Sequence, residues 1–171
     1  MQTPTAAAPA LAYRQSHPPG LYLLFFTEMW ERFSYYGMRG LLVLYLSKTV
    51  MQGGLGIPEA SASLIYGYFT GFVYFTPIIG GWLADKYIGQ RRAILMGGLT
   101  MAAGQLFLFM QPSLSTEAAF FGLPWPTMLG LLLLILGNGF FKPNISTIVG
   151  QLYAQGDPLR DSAFTIFYMG I

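Results

Sequence analysis

The 171 residues carry 54% hydrophobic and 16% aromatic side chains but only 9% charged ones, and the mean hydropathy is +0.50. A soluble domain holds about 25% charged residues, so the composition points to a polytopic membrane protein with the lipid bilayer as its surroundings. The net charge of +2 gives no footing for a nucleic-acid partner, and the absence of Cys removes disulfides, thiolate metal sites and a cysteine nucleophile.

Residues 1–20 are polar, small or Pro-rich and lack a basic start followed by an apolar core and cleavage site. They read as a cytoplasmic tail without a removable signal. The one histidine, His17, stands beside Pro18 and Pro19 and is expected to be a solvated tail residue rather than a proton relay.

Residues 21–171 form a run of apolar stretches. A membrane span needs roughly 20 mostly apolar residues to cross about 30 Å of hydrocarbon. Residues 21–46, 61–84, 92–110 and 127–151 meet that requirement. A fifth helix is expected to open at Asp161 and Ser162, both good N-cap types, and to run to Ile171. Gly, Pro and Asp punctuate the intervals at 53–58, 85–91, 112–126 and 156–158. The chain thus reads as all-α, with four transmembrane helices and the start of a fifth. That fifth helix is too short to span, which makes this the N-terminal part of a longer transporter rather than a complete four-helix protein.

Basic residues set the orientation. Arg14, Lys86, Arg91, Arg92 and Arg160 fall on one side, and only Lys48 falls on the other. The N-terminus is therefore expected in the cytoplasm.

The first span contains Glu28, Glu31, Arg32 and Arg39. Each charge at a bilayer centre costs about 2.5–3.5 kcal/mol on insertion scales, so such groups normally face a bundle interior or a wet path and pair there. With Tyr35 and Tyr36 they are spaced by three, four, seven, eight and eleven residues from Glu28, which puts them on one helical stripe. Two acids and two bases share that stripe, so adding a proton to one carboxylate changes its sign. This suits protons as the coupling ion, with no other cofactor. The same charges would also serve as a neutral network that merely locks helices together.

In the fourth span Lys142 follows Gly137-Asn138-Gly139-Phe140-Phe141 and precedes Pro143. Placed mid-span, it cannot easily reach either surface. Pro143 removes a helical hydrogen bond beside it, and the two glycines allow a neighbouring helix to approach. Lys142 can attract a substrate carboxylate or pair with Glu28 or Glu31. After the second span the order Gly81, Asp85, Gly89, then Arg91-Arg92 is too particular for generic anchoring, and suggests a charge cluster acting as a gate latch.

Together these segments resemble the proton-coupled oligopeptide transporter family of the major facilitator superfamily. Glu28-Met29-Trp30-Glu31-Arg32-Phe33, followed by Tyr35-Tyr36-Gly37 and Arg39, is similar to that family's first-helix pattern. Residues 80–89 resemble its first signature, Phe141-Lys142-Pro143-Asn144-Ile145-Ser146 its fourth-helix motif, and residues 161–168 the start of its second signature. The resemblance implies the N-terminal bundle of that superfamily and symport of di- and tripeptides with protons. It implies that Glu28, Glu31 and Arg32 couple the proton. Arg32, Arg39 and Lys142 would lie in the cavity, with Arg32 and Lys142 drawing the peptide carboxylate. Tyr35, Tyr36 and Tyr74 would shape the pocket, and Gly81, Asp85, Gly89 and Arg91 would form the cytoplasmic gate. It also implies a C-terminal bundle outside these residues, without which the chain is expected not to transport, and a bacterial inner membrane.

Two other readings remain beside peptide symport: transport of nitrate or another small anion, and a non-transporting receptor or assembly partner. No Ser-His-Asp set or metal cluster occurs, and Gly137-Asn138-Gly139 lacks the preceding strand of a nucleotide loop, so an enzyme is not expected.

Overall fold

The computed structural model describes residues 16–114, 118–120 and 122–171. The tail up to residue 15, with Arg14, lies outside the described residues, as does part of the loop after 112. Helix α1, Pro19–Ser47, starts with a proline in its first turn, where the missing N–H is no loss. Beyond its end the chain turns through Val50–Gln52 and Gly53, whose φ of 82° suits glycine. It then folds back so that Leu55 and Ile57 donate to the carbonyls of Tyr45 and Leu46 at 2.9 Å each, satisfying the open end of α1.

Helix α2, Glu59–Leu83, widens into a π-helical turn, Ala84–Ile88, which Gly89 stops with a φ of 82°. Helix α3 is Gln90–Leu114 and α4 is Trp125–Gln151, with a short antiparallel pair, Ala118–Phe120 and Leu123–Pro124, between them. Among the described residues three stretches are long and apolar enough to cross a membrane: Glu59–Ile88, Gln90–Pro112 and Trp125–Gln151. Helix α1 is as long, at 29 residues, and differs by its four charges.

Helix α5, Leu159–Met169, begins earlier than Asp161. Asp157 performs the capping, its Oδ1 accepting from the Leu159 N–H at 2.9 Å. Asp161 and Ser162 lie within the first turns, where the Ser162 hydroxyl donates to the Leu159 carbonyl at 2.9 Å. Pro158 explains the displacement, because its fixed φ is preorganised to enter a helix directly after Asp157.

Glycines decide how closely the helices pack. On antiparallel α3 and α4, Gly97 faces Gly137 and, seven residues along each helix, Gly104 faces Gly130. A Cβ on any of these would meet the other helix at 3.0 Å or less. Helix α2 runs parallel to α4, and Gly80 abuts the Gly139 carbonyl there while Gly81 lies against Pro143. Since Pro143 cannot donate, the Gly139 carbonyl is the one freed from the helix ladder, and the bare Cα of Gly80 fills the space beside it.

Two apolar clusters form the interior. One gathers Tyr35, Leu42, Leu46, Phe69, Leu131 and Ile135, and the other Leu21, Phe141, Ile145, Val149, Tyr153 and Phe167. On α1 the gap between them spans the stretch with Glu28, Glu31 and Arg32, and on α4 it spans Asn138. Outside, Trp30, Phe33, Leu99 and Phe109 are 63–82% exposed, as side chains facing lipid are.

His17 is not a solvated tail residue. Its Nδ1 lies 2.8 Å from the Tyr153 hydroxyl, and its Nε2 lies 3.5 Å from the Ser162 hydroxyl. Pro18 and Pro19 stiffen the backbone beside it, and Tyr153, 6% exposed, needs a polar partner at its buried end.

Candidate functional site in the buried charge layer

Three turns of α1 carry the charged stripe into the gap between the apolar clusters. Glu28 and Arg32 are 1% and 5% exposed. Arg32 Nε donates to Glu28 Oε1 at 2.7 Å and lies 3.0 Å from Glu31 Oε2. That nitrogen has a single hydrogen, so the contact with Glu28 is a charge-assisted hydrogen bond and the one with Glu31 is mainly electrostatic. Glu28 Oε2 and Glu31 Oε2 accept no hydrogen bond. One guanidinium therefore serves two carboxylates that keep acceptor capacity in hand.

Asn138 on α4 completes the layer. Its Nδ2 donates to Glu31 Oε1 at 3.2 Å, linking α4 to α1. Lys142, one turn further along α4, is close enough for its charge to act on Glu31. Its Nζ sits 5.0 Å from the centre of the Tyr74 ring, within cation–π range. The Arg39 guanidinium lies over the Tyr66 ring at 5.4 Å, donates through Nε to the Tyr66 hydroxyl, and has Tyr74 within reach. Tyr74 thus stands between two cations, one from α1 and one from α4.

The tyrosines divide. Tyr36 and Tyr74 are 49% and 59% exposed, whereas Tyr35 turns into the apolar cluster against Phe69, with ring centres 6.4 Å apart. Tyr35 is therefore a core residue with an unpartnered hydroxyl, not an open pocket wall.

The loop after α2 differs from the expected charge cluster. Asp85 Oδ1 accepts from Gln90 Nε2 at 3.1 Å, and Gln90 Oε1 accepts from Gln151 Nε2 at 2.6 Å. Arg91 and Arg92 are exposed, and the ion pairs among the described residues are those of Arg32. The reason is backbone geometry: the turn at Gly89 starts α3 at once, so Gln90 occupies the position facing Asp85 and the arginines point outward. A chain of amides, not of charges, ties α2 and α3 to the end of α4. Gly81 and Gly89 hold the ends of that turn, one against Pro143 and the other by its positive φ.

Asn138 and Tyr66 are the site residues that the sequence reasoning missed. Asn138 carried a signal, as a lone amide in an apolar span at the level of a charged neighbour. Tyr66 lies eight residues before Tyr74, on the same helical face. Among the described residues no group of three or more His, Asp or Glu side chains is placed to hold a metal ion.

Residues 91–171 match the POT family. The di-/tripeptide transporter of Lactococcus lactis subsp. lactis is 46% identical over 156 residues, which is 90% of this chain and 29% of that protein. The chain belongs to the POT family. The Yersinia enterocolitica peptide transporter YePEPT is likewise 46% identical, over 91% of this chain and 29% of its own length. The Bacillus subtilis transporter YclF is 45% identical over 91% of this chain and 30% of its own length. Among solved structures, the POT peptide transporter in complex with sulfate superposes with a TM-score of 0.80 at 47% identity, over 90% of this chain and 29% of that one. A POT transporter in complex with a thioalcohol-conjugated peptide gives 0.79 at 43% identity, over 90% and 30%. This POT chain is thus a helical multi-pass membrane protein with the N-terminal bundle architecture of the major facilitator superfamily. It spans about 30% of the length of the relatives it matches.

Proposed function

We propose that the full-length protein imports di- and tripeptides with protons, and that Glu28, Glu31 and Arg32 couple the two. The observation that carries the reading is the sharing of one buried guanidinium by two buried carboxylates with free acceptor atoms. In that arrangement a proton arriving on Glu31 removes one of the two negative charges facing Arg32. The layer then has surplus positive charge, which a peptide carboxylate can neutralise. Arg32, Arg39 and Lys142 are the cations available to it, and Tyr36 and Tyr74 offer phenol groups and ring faces beside them. When the proton leaves, Glu31 competes again for Arg32, and the peptide carboxylate loses its hold. Proton and peptide are linked because each neutralises the same layer.

The names of the relatives support peptides as the solute, and the two cations beside Tyr74, Lys142 over its ring and Arg39 within reach, support an anionic end as the part recognised. A second bundle supplies the other half of the pathway and rocks against this one about the midplane. The end of the bundle with Lys86, Arg91, Arg92 and Arg160 faces the cytoplasm, the N-terminus with it, in a bacterial inner membrane. Asp85, Gln90 and Gln151 close that end.

Dialanine uptake into liposomes carrying the full-length protein tests this, with and without an inward proton gradient, beside Lys142→Ala. Uptake that requires the gradient and is lost in the variant is expected. Folded protein that takes up no dialanine under either condition would refute the peptide assignment.

A further inference from the structure

Asn138 lies midway along α4 with 2% of its surface exposed, among Leu, Ile, Gly and Phe neighbours. Its flanking glycines are pressed against different helices. Gly137 faces Gly97 and Met101 of α3, and Gly139 faces Thr76 of α2. The α4 backbone is clamped on two sides at this level, and the amide extends toward α1. There its Nδ2 donates to Glu31 Oε1 at 3.2 Å and lies 3.9 Å from the Met101 sulfur. Its Oδ1 is buried and accepts no hydrogen bond. A buried amide oxygen without a donor is costly, so an arrangement that keeps one is notable at a site of charge.

We propose that Asn138 is a positioning residue that reads the protonation state of Glu31 and passes it to α4. It rests on the reading above, in which Glu31 carries the proton. An amide suits the task because it presents a donor and an acceptor related by a half-turn of one bond. Ionised Glu31 takes the N–H. Once a proton has bonded to a Glu31 oxygen, the new O–H donates to Asn138 Oδ1 after the amide turns, and the amide keeps both of its hydrogens throughout. The charged groups facing Glu31 are Glu28 and Arg32 on α1 and Lys142 on α4, while α3 presents the uncharged Met101. Lys142 is four residues from Asn138 and so on the same face of α4. The turn of the amide therefore occurs beside the cation assigned to the substrate carboxylate.

Infrared difference spectra of the full-length protein in lipid bilayers, taken across a pH titration, test this. Acidification is expected to raise a carboxylic-acid C=O band that Glu31→Gln removes. In Asn138→Leu, of similar size but without the amide, that band moves to higher frequency and its midpoint moves by about half a pH unit or more. Asn138→Ser, which keeps a group that both donates and accepts, retains a band near that of the unaltered protein and serves if the leucine variant fails to fold. An unchanged band in Asn138→Leu, a serine variant lacking the band, or the absence of any band that depends on Glu31 overturns the proposal. Whether the solute is a peptide is read separately, by dialanine uptake of the unaltered protein. Failure there would remove the peptide reading and leave the spectroscopic result to stand on its own.

Discussion

Gly80 on α2 and the carbonyl of Gly139 on α4 are in direct contact, with no room for a Cβ between them. The contact sits between the charge layer at Asn138 and the proline at 143, so the approach of α2 to α4 sets where Lys142 stands over Tyr74. Gly80→Ala is expected to push the helices apart and to destabilise the full-length protein by about 1–3 kcal/mol. Gly98→Ala, where nothing lies within 4 Å, is expected to leave the thermal midpoint unchanged or slightly raised. Equal midpoints for the two variants in detergent would contradict the close approach.

Arg32 serves two buried carboxylates, and its removal takes from both their ion-pair partner and leaves only the more distant Lys142 facing Glu31. Arg32→Met is expected to cost about 3–5 kcal/mol, the range for breaking a buried ion pair by deleting one partner. The triple variant Glu28→Gln, Glu31→Gln, Arg32→Met is expected to recover most of that loss, because no charge is stranded. Thermal unfolding of the purified variants distinguishes the cases. A triple variant as unstable as the single one would mean that Arg32 acts through packing.

The N-terminal segment is tied to the far end of the chain by His17 and Tyr153. His17→Ala removes one hydrogen bond, that between His17 and the buried Tyr153 phenol, and the first turn of α1 should then open more often. Hydrogen exchange of residues 20–24 is expected to accelerate severalfold, by the loss of one net hydrogen bond of about 1 kcal/mol. Exchange at residues 100–110 of α3, remote from the contact, is expected to stay as it was.

Asp157 caps α5 through the Leu159 N–H. Asp157→Ala is expected to cost about 0.5–2 kcal/mol, whereas Asp161→Ala, in a position that makes no cap, costs less. Ranking the two variants by thermal midpoint decides between the cap seen here and the one that residue type alone suggests.

The order and number of the helices were legible in the sequence, because a span must satisfy every backbone group by itself and therefore announces itself as a long apolar run. The charged stripe was equally legible, since 3.6 residues per turn fix which side chains of one helix share a face. Lys142 stood out by the same argument of expense: a cation in an apolar span needs a reason. Whether Tyr35 turned inward and Tyr36 outward was not legible, although they are neighbours. Their helix offers both a place near the stripe, and only the packing of Phe69 from α2 separates them.

The sequence by itself thus determined the membrane class, the helices and the identity of the costly charges, all properties of single segments governed by local period and transfer energy. Only the tertiary structure decided the partners. It assigned Gln90 rather than an arginine to Asp85, Asn138 to Glu31, Tyr66 to Arg39 and His17 to Tyr153. Those choices depend on the distance and rotation between helices, which are set where glycines allow two backbones to touch. No single segment contains that information.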